Sequence, residues 1–168
     1  MITVLSPAKK LSPECIANGK TYTRPIFIDK SKNLVTILKS LDPVDLQSLM
    51  GISQNLSELN WERFQSWTSD FSPDTSRQAA YSFKGDTYTG LDADSLSEKD
   101  MAFAQDTIRI LSGLYGVLRP LDLMLPYRLE MGTKLDNEKG KNLYEFWGHS
   151  ISEMIIQDLK NHKDKTIL

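Results

Sequence analysis

The sequence predicts a mixed α/β protein of the α+β kind: one helix-rich domain with short strands. Three observations predict it. The chain has 168 residues, enough for one hydrophobic core and too few for two ordinary domains. Apolar residues recur at helical spacing in several separate segments. Between those segments lie short runs of branched or alternating residues, bounded by glycine and proline, of the length and composition of strands.

In chain order, Ile2–Leu5 is a short branched apolar run that leaves through Ser6-Pro7, which predicts a buried strand entering a loop that carries Lys9 and Lys10. From Leu11 to Pro25 the residues are polar and broken by Pro13, Gly19 and Pro25, so this stretch is irregular. Leu34, Ile37, Leu38 and Leu41 share one helical face. Asp42-Pro43 caps a second helix carrying Leu46, Leu49 and Met50, which Gly51 ends. Leu56, Leu59, Phe64 and Trp67 predict a third helix. By the same cap logic, Ser72-Pro73 opens a fourth whose face includes Ala79, Ala80 and Phe83.

KGDTYTG, Lys84–Gly90, reads as a loop or a short edge strand. Ser97 and Asp100 make a shortened capping box before the stripe Met101, Ala104, Ile108 and Leu111. LMLPYRLEM then alternates enough to contain an extended segment that Pro126 keeps at an edge. Leu143, Trp147, Ile151, Met154, Ile155 and Leu159 predict a long amphipathic helix. Lys165–Leu168 begins a strand, and we expect residues 1–168 to be one domain, truncated at its C-terminus, whose sheet a further C-terminal part completes.

Composition bounds the function. No apolar run is long enough to cross a bilayer, and the N-terminus places its charges after its apolar residues, the wrong order for a secretory signal. The single cysteine, Cys15, makes no internal disulfide. A cytoplasmic location is the expectation. The net charge is −2, yet Met1–Leu41 holds seven basic residues against two acidic ones, a balance of +5 that leaves −7 on the remainder. A basic lobe on an acidic body is able to meet an anion.

Familiar catalytic apparatus is missing from the sequence. His149 and His162 are the only histidines and have no metal-ligand spacing, so we expect no metal and no cofactor. There is neither a GxSxG elbow nor a standard phosphate-binding glycine loop. What remains is a set of cations beside turns: Lys9, Lys84 before Gly85, Arg119 after Gly113 and Gly116, and Arg128 after Pro126. Turns bring side chains and free backbone N–H groups to the same anion, and arginine grips phosphate or carboxylate at two points. Asp86, Asp122, Tyr88, Tyr115 and Tyr127 lie among these cations in sequence. Gly113 and Gly116 are three apart, whereas a DNA-binding helix-hairpin-helix turn has glycines two apart, and a helix C-cap at Gly113 accounts for the pattern as well.

SPAK (Ser6–Lys9), FKGDTYTGL (Phe83–Leu91), LSGLYGVLRPLDLMLPYRLEMG (Leu111–Gly132) and LYEFWG (Leu143–Gly148) closely resemble the YaaA family, the bacterial peroxide-stress proteins. The resemblance runs through the whole chain; Lys10 departs from the family's SPAKT. It implies a cytoplasmic protein that limits free intracellular iron and the oxidative damage that follows, through a mixed α/β fold with a cationic cleft, a helix-hairpin-helix-like element and DNA as partner. Carried onto this chain, the hairpin is Leu111–Leu118, and the anion-binding residues are Lys9, Lys84, Gly113, Gly116, Arg119 and Arg128. The alternative is an enzyme using the same cleft for an anionic small molecule, with Lys9, Asp86 and Tyr115 as candidate catalytic residues.

Overall fold

A computed structural model describes residues 1–14, 16–19 and 21–168; Cys15 and Lys20, which the sequence reading counted, lie outside the described residues. The fold is mixed α+β, as expected. The chain opens with β1 (Thr3–Leu5) and β2 (Lys10–Leu11). Three helices follow: α1 (Ile28–Lys39), α2 (Pro43–Met50) and α3 (Gln54–Ser66). Asp42 caps α2 in a reciprocal box with Asp45, Pro43 occupies the first turn, and Gly51 ends the helix at φ 61°. The buried faces of these helices, with Leu34, Leu38, Leu46 and Phe64 fully covered, form one side of the main core.

A region of very short elements comes next: β3 (Arg77–Gln78), α4 (Ala79–Ser82), β4 (Phe83–Lys84) and α5 (Asp86–Leu91). Here the structure departs from the sequence in two places. Ser72-Pro73 opens only a turn, closed by the Ser76 amide and hydroxyl on the Ser72 carbonyl, and the chain leaves it into β3. KGDTYTG is mainly helix: only Lys84 lies on an edge strand, and Gly85 at φ 149° turns the chain into α5.

The helix after Ser97, α6 (Glu98–Thr107), stops before Ile108. Ile108–Ser112 is β5, and Gly116–Leu118 is β6. β5 runs parallel to β1, with Val4 opposite Arg109, and antiparallel to β6, with Ser112 opposite Gly116. The stretch that was expected to hold a helix end and a helix-hairpin-helix turn is therefore a strand–turn–strand unit. The physical reason is that Ile108 and Ile110 are β-branched and gain a ladder with β1 that helix continuation would forfeit.

On the outer side of β1, Ile167 pairs in parallel with Ile2, so the expected terminal strand has one bridge. β2 pairs with β4, and β3 with β7 (Leu123–Met124). The predicted last helix is two: α7 (Leu143–Trp147) and α8 (Ser150–Leu159), separated by Gly148 at φ 49°. α8 lays Ile155 and Leu159 over Ile2, which leads into β1.

Candidate functional site: a cationic cleft

Two irregular pieces of chain face each other across a cleft of about 250 Å³. One is the loop after β1, with Pro7, Ala8 and Lys9; the other is the segment Tyr127–Gly132. The loop is held from below by the Tyr88 hydroxyl, which donates to the Ser6 carbonyl at 2.8 Å. Beyond Lys9 the chain enters the β2–β4 ladder, which sets Lys10 opposite Lys84.

The Tyr127–Gly132 wall is held by the turn between β5 and β6. Leu125 donates its amide to the Tyr115 hydroxyl at 3.1 Å, and the Tyr127 and Ser112 hydroxyls share a 2.6 Å hydrogen bond. Gly113 lies so close to this wall that a Cβ there would fall onto the Leu129 carbonyl, 2.9 Å from its carbon. The Trp147 indole N–H donates to the Gly113 carbonyl at 3.0 Å. Gly116 takes φ +70° and leaves room for the Trp147 ring, which a Cβ would approach to 2.7 Å. Both glycines are buried. They serve close packing, and the turn presents no exposed row of backbone N–H groups.

Lys9 and Arg128 meet at the cleft. Lys9 Nζ lies 3.1 Å and Arg128 Nη2 3.0 Å from the same oxygen, Oε1 of Glu130. Arg128 is mostly covered, at 18% side-chain exposure, and its buried Nε has no hydrogen-bond partner among the described residues. The charged residues lining the cleft are thus two cations and one carboxylate, a formal sum of +1. A second hollow of about 240 Å³ shares Arg128 and Glu130 and reaches the end of α2 at Leu49 and Met50.

The other sequence candidates fall elsewhere. Arg119 does not line the cleft. Its Nε and Nη2 bind Oδ1 of Asp122 at 3.2 and 2.9 Å, and Nη2 also donates to the Arg24 carbonyl. Asp122, with no exposed side-chain surface, further accepts the Arg119 amide and the Thr23 hydroxyl, so this corner closes a loop. Lys84 is half-buried beside the cleft, and Asp86 is exposed at the start of α5, adjoining Gly85 near Ala8. Neither lines the cleft.

Tyr115 is fully buried; its hydroxyl accepts from the Trp67 indole at 3.0 Å, and burial pushes its pKa well above the ordinary tyrosine value. It is sealed off from any substrate in the cleft. Burial raises Tyr127 and Tyr88 in the same way. Glu130 escaped the sequence reading. Its signal was present: in an extended segment residues two apart share a side, which places Glu130 with Arg128.

Fold and site together define a mixed α+β protein with a small cleft where two cations are held on one carboxylate. A family model described as peroxide stress protein YaaA matches residues 1–168, the whole length of the chain. The chain belongs to the YaaA peroxide-stress family. No described helix is long and apolar enough to cross a membrane.

Proposed function

We propose that the chain serves peroxide protection by binding an anion in the Lys9–Arg128 cleft. The observation that carries this reading is the convergence of both cations on one oxygen of Glu130 beside an open cleft. The shared carboxylate holds the two heads together before a ligand arrives, so less side-chain freedom is lost on binding. The cleft's volume suits a small anionic molecule, bound or transformed there, and Lys9 is the catalytic candidate that reaches it. A limit on free iron and on oxidative DNA damage, in the cytoplasm, is the cellular outcome we assign to this binding.

A second reading, a grip on DNA phosphates, is favoured by the placement of Lys10 opposite Lys84 next to Lys9, a row of cations along one edge. A single titration separates the two. Binding of inorganic phosphate and of duplex DNA is measured at about pH 6, where phosphate is mostly the singly charged H2PO4−, across a salt series for the unaltered chain, Lys9→Ala, Lys84→Ala and Arg128→Ala. The small-anion reading expects phosphate binding lost in Lys9→Ala and Arg128→Ala and kept in Lys84→Ala. The DNA reading expects each of the three to flatten the slope of log K against log salt by about 0.9. Phosphate binding indifferent to Lys9 and Arg128 rejects the small-anion cleft.

A further inference from the structure

We infer that Glu130 acts as a charge filter, so that the cleft takes a singly charged anion carrying an apolar body. This inference rests on the anion reading above and names the class of ligand. Two features of the cleft lead to it. First, Lys9 and Arg128 together would suit a dianion such as a phosphate monoester, but Glu130 stands between them and reduces the sum to +1. A second negative charge on the ligand would face the Glu130 carboxylate across a few ångströms, where like charges repel appreciably even near a surface. A monoanion bridges Lys9 and Arg128 without that penalty.

Second, the remaining walls are largely apolar. Pro7 and Ala8 on one side face Leu129 and Met131 on the other. A bare anion would leave these walls wet; a ring or branched chain on the ligand would cover them. Met131 is unbranched and adapts to varied shapes, which fits a wall that meets an apolar body. A carboxylate and a phosphodiester both satisfy this description, and the test distinguishes them.

The experiment measures the affinity of the full chain at pH 8 for acetate, benzoate, methyl phenyl phosphate and phenyl phosphate. At that pH the last is doubly charged and the others singly. Benzoate is expected to bind about tenfold tighter than acetate, since covering part of a ring suffices for that factor. Benzoate or methyl phenyl phosphate is expected to match or exceed phenyl phosphate, and the better of the two tells a carboxylate from a phosphodiester. In Glu130→Gln the preference for phenyl phosphate over benzoate should rise about tenfold. A role for Glu130 in holding the wall alone would lower all affinities together and leave that ratio unchanged.

Equal binding of acetate and benzoate overturns the apolar body while the anion reading stands. A preference for phenyl phosphate in the unaltered chain overturns the filter, as does an unchanged ratio in Glu130→Gln. Absence of binding by all four anions removes the anion reading and this inference with it. The series on the unaltered chain decides the matter even if the variant folds poorly.

Discussion

Arg119 and Arg128 look alike in sequence. Each lies within two residues of a proline, in the same block of turns, and each has a carboxylate two or three residues on. In the folded chain they do opposite things. Arg119 is spent: its fork closes on Asp122, whose side chain is wholly covered and also receives an amide and a hydroxyl. Arg128 pairs with Glu130, which is 48% exposed, divides its attention with Lys9, and leaves Nε without a partner among the described residues. The burial of the partner carboxylate, rather than the arginine, separates a closed structural corner from an ion pair left open beside a cleft. A covered carboxylate must be fully satisfied to be tolerated, and an exposed one has water to fall back on.

The sharpest way to break this comparison is to remove both carboxylates. Asp122→Ala strands Arg119 and the Arg119 amide around a buried hole and should cost about 3–5 kcal/mol, a fall in Tm of roughly 10 °C. Glu130→Ala should cost no more than about 1 kcal/mol, because its ion pairs are screened. Comparable losses in thermal melts would refute the distinction. Gly113→Ala comes next. The added methyl group meets the backbone of Leu129, which has no rotamer to escape into, and a cost of about 1–3 kcal/mol is expected with weakened anion binding.

A pH series sharpens the picture of the wall. Tyr115 and Tyr127 have pKa values raised by burial above the ordinary 10.0. They therefore stay protonated in the folded chain while the unfolded chain loses protons above about pH 10. Stability from this source is fully present below pH 10 and is lost as pH rises, by up to about 1.4 kcal/mol per pH unit for each phenol. Chemical denaturation from pH 8 to 11 should show that decline, and Tyr127→Phe should lessen its slope. A slope unaffected by the substitution would mean that the phenol titrates freely. The smallest effect is reserved for Lys84→Ala, expected to change stability by less than about 0.5 kcal/mol because its half-buried side chain makes no ion pair with the described residues.

Much of the fold was legible because its helices obey local rules. Asp42-Pro43 with Gly51, and Ser97 with Asp100, are signals written within a few residues, and the structure uses them. The errors came where a tertiary partner decides. Ile108 and Leu111 keep helical spacing from Met101, but β1, a hundred residues earlier, offers Ile108 a ladder, and β6 sets Val117 opposite Leu111. Gly148 breaks α7 from α8 within one continuous apolar stripe, so periodicity alone ran through it. Charge beside turns singles out Lys9 and Arg128 in the sequence, and both line the cleft. Glu130 was overlooked because attention to cations hides the anion that organises them. Tyr115 was misread because no local pattern states that a tyrosine between two glycines will be enclosed on every side.

The turn Ser112–Gly116 grips the cleft wall at Leu125, Tyr127 and Leu129, and is itself pinned by Trp67 and Trp147. Exposing that wall thus means dismantling the aromatic core, so the wall belongs to the same cooperative unit as the core instead of to a mobile surface loop. The Leu125 amide, which donates to the buried Tyr115 hydroxyl, should exchange with deuterium only as often as the whole domain unfolds. The arginine side of the cleft is then an anvil, fixed by the same packing that holds the domain together.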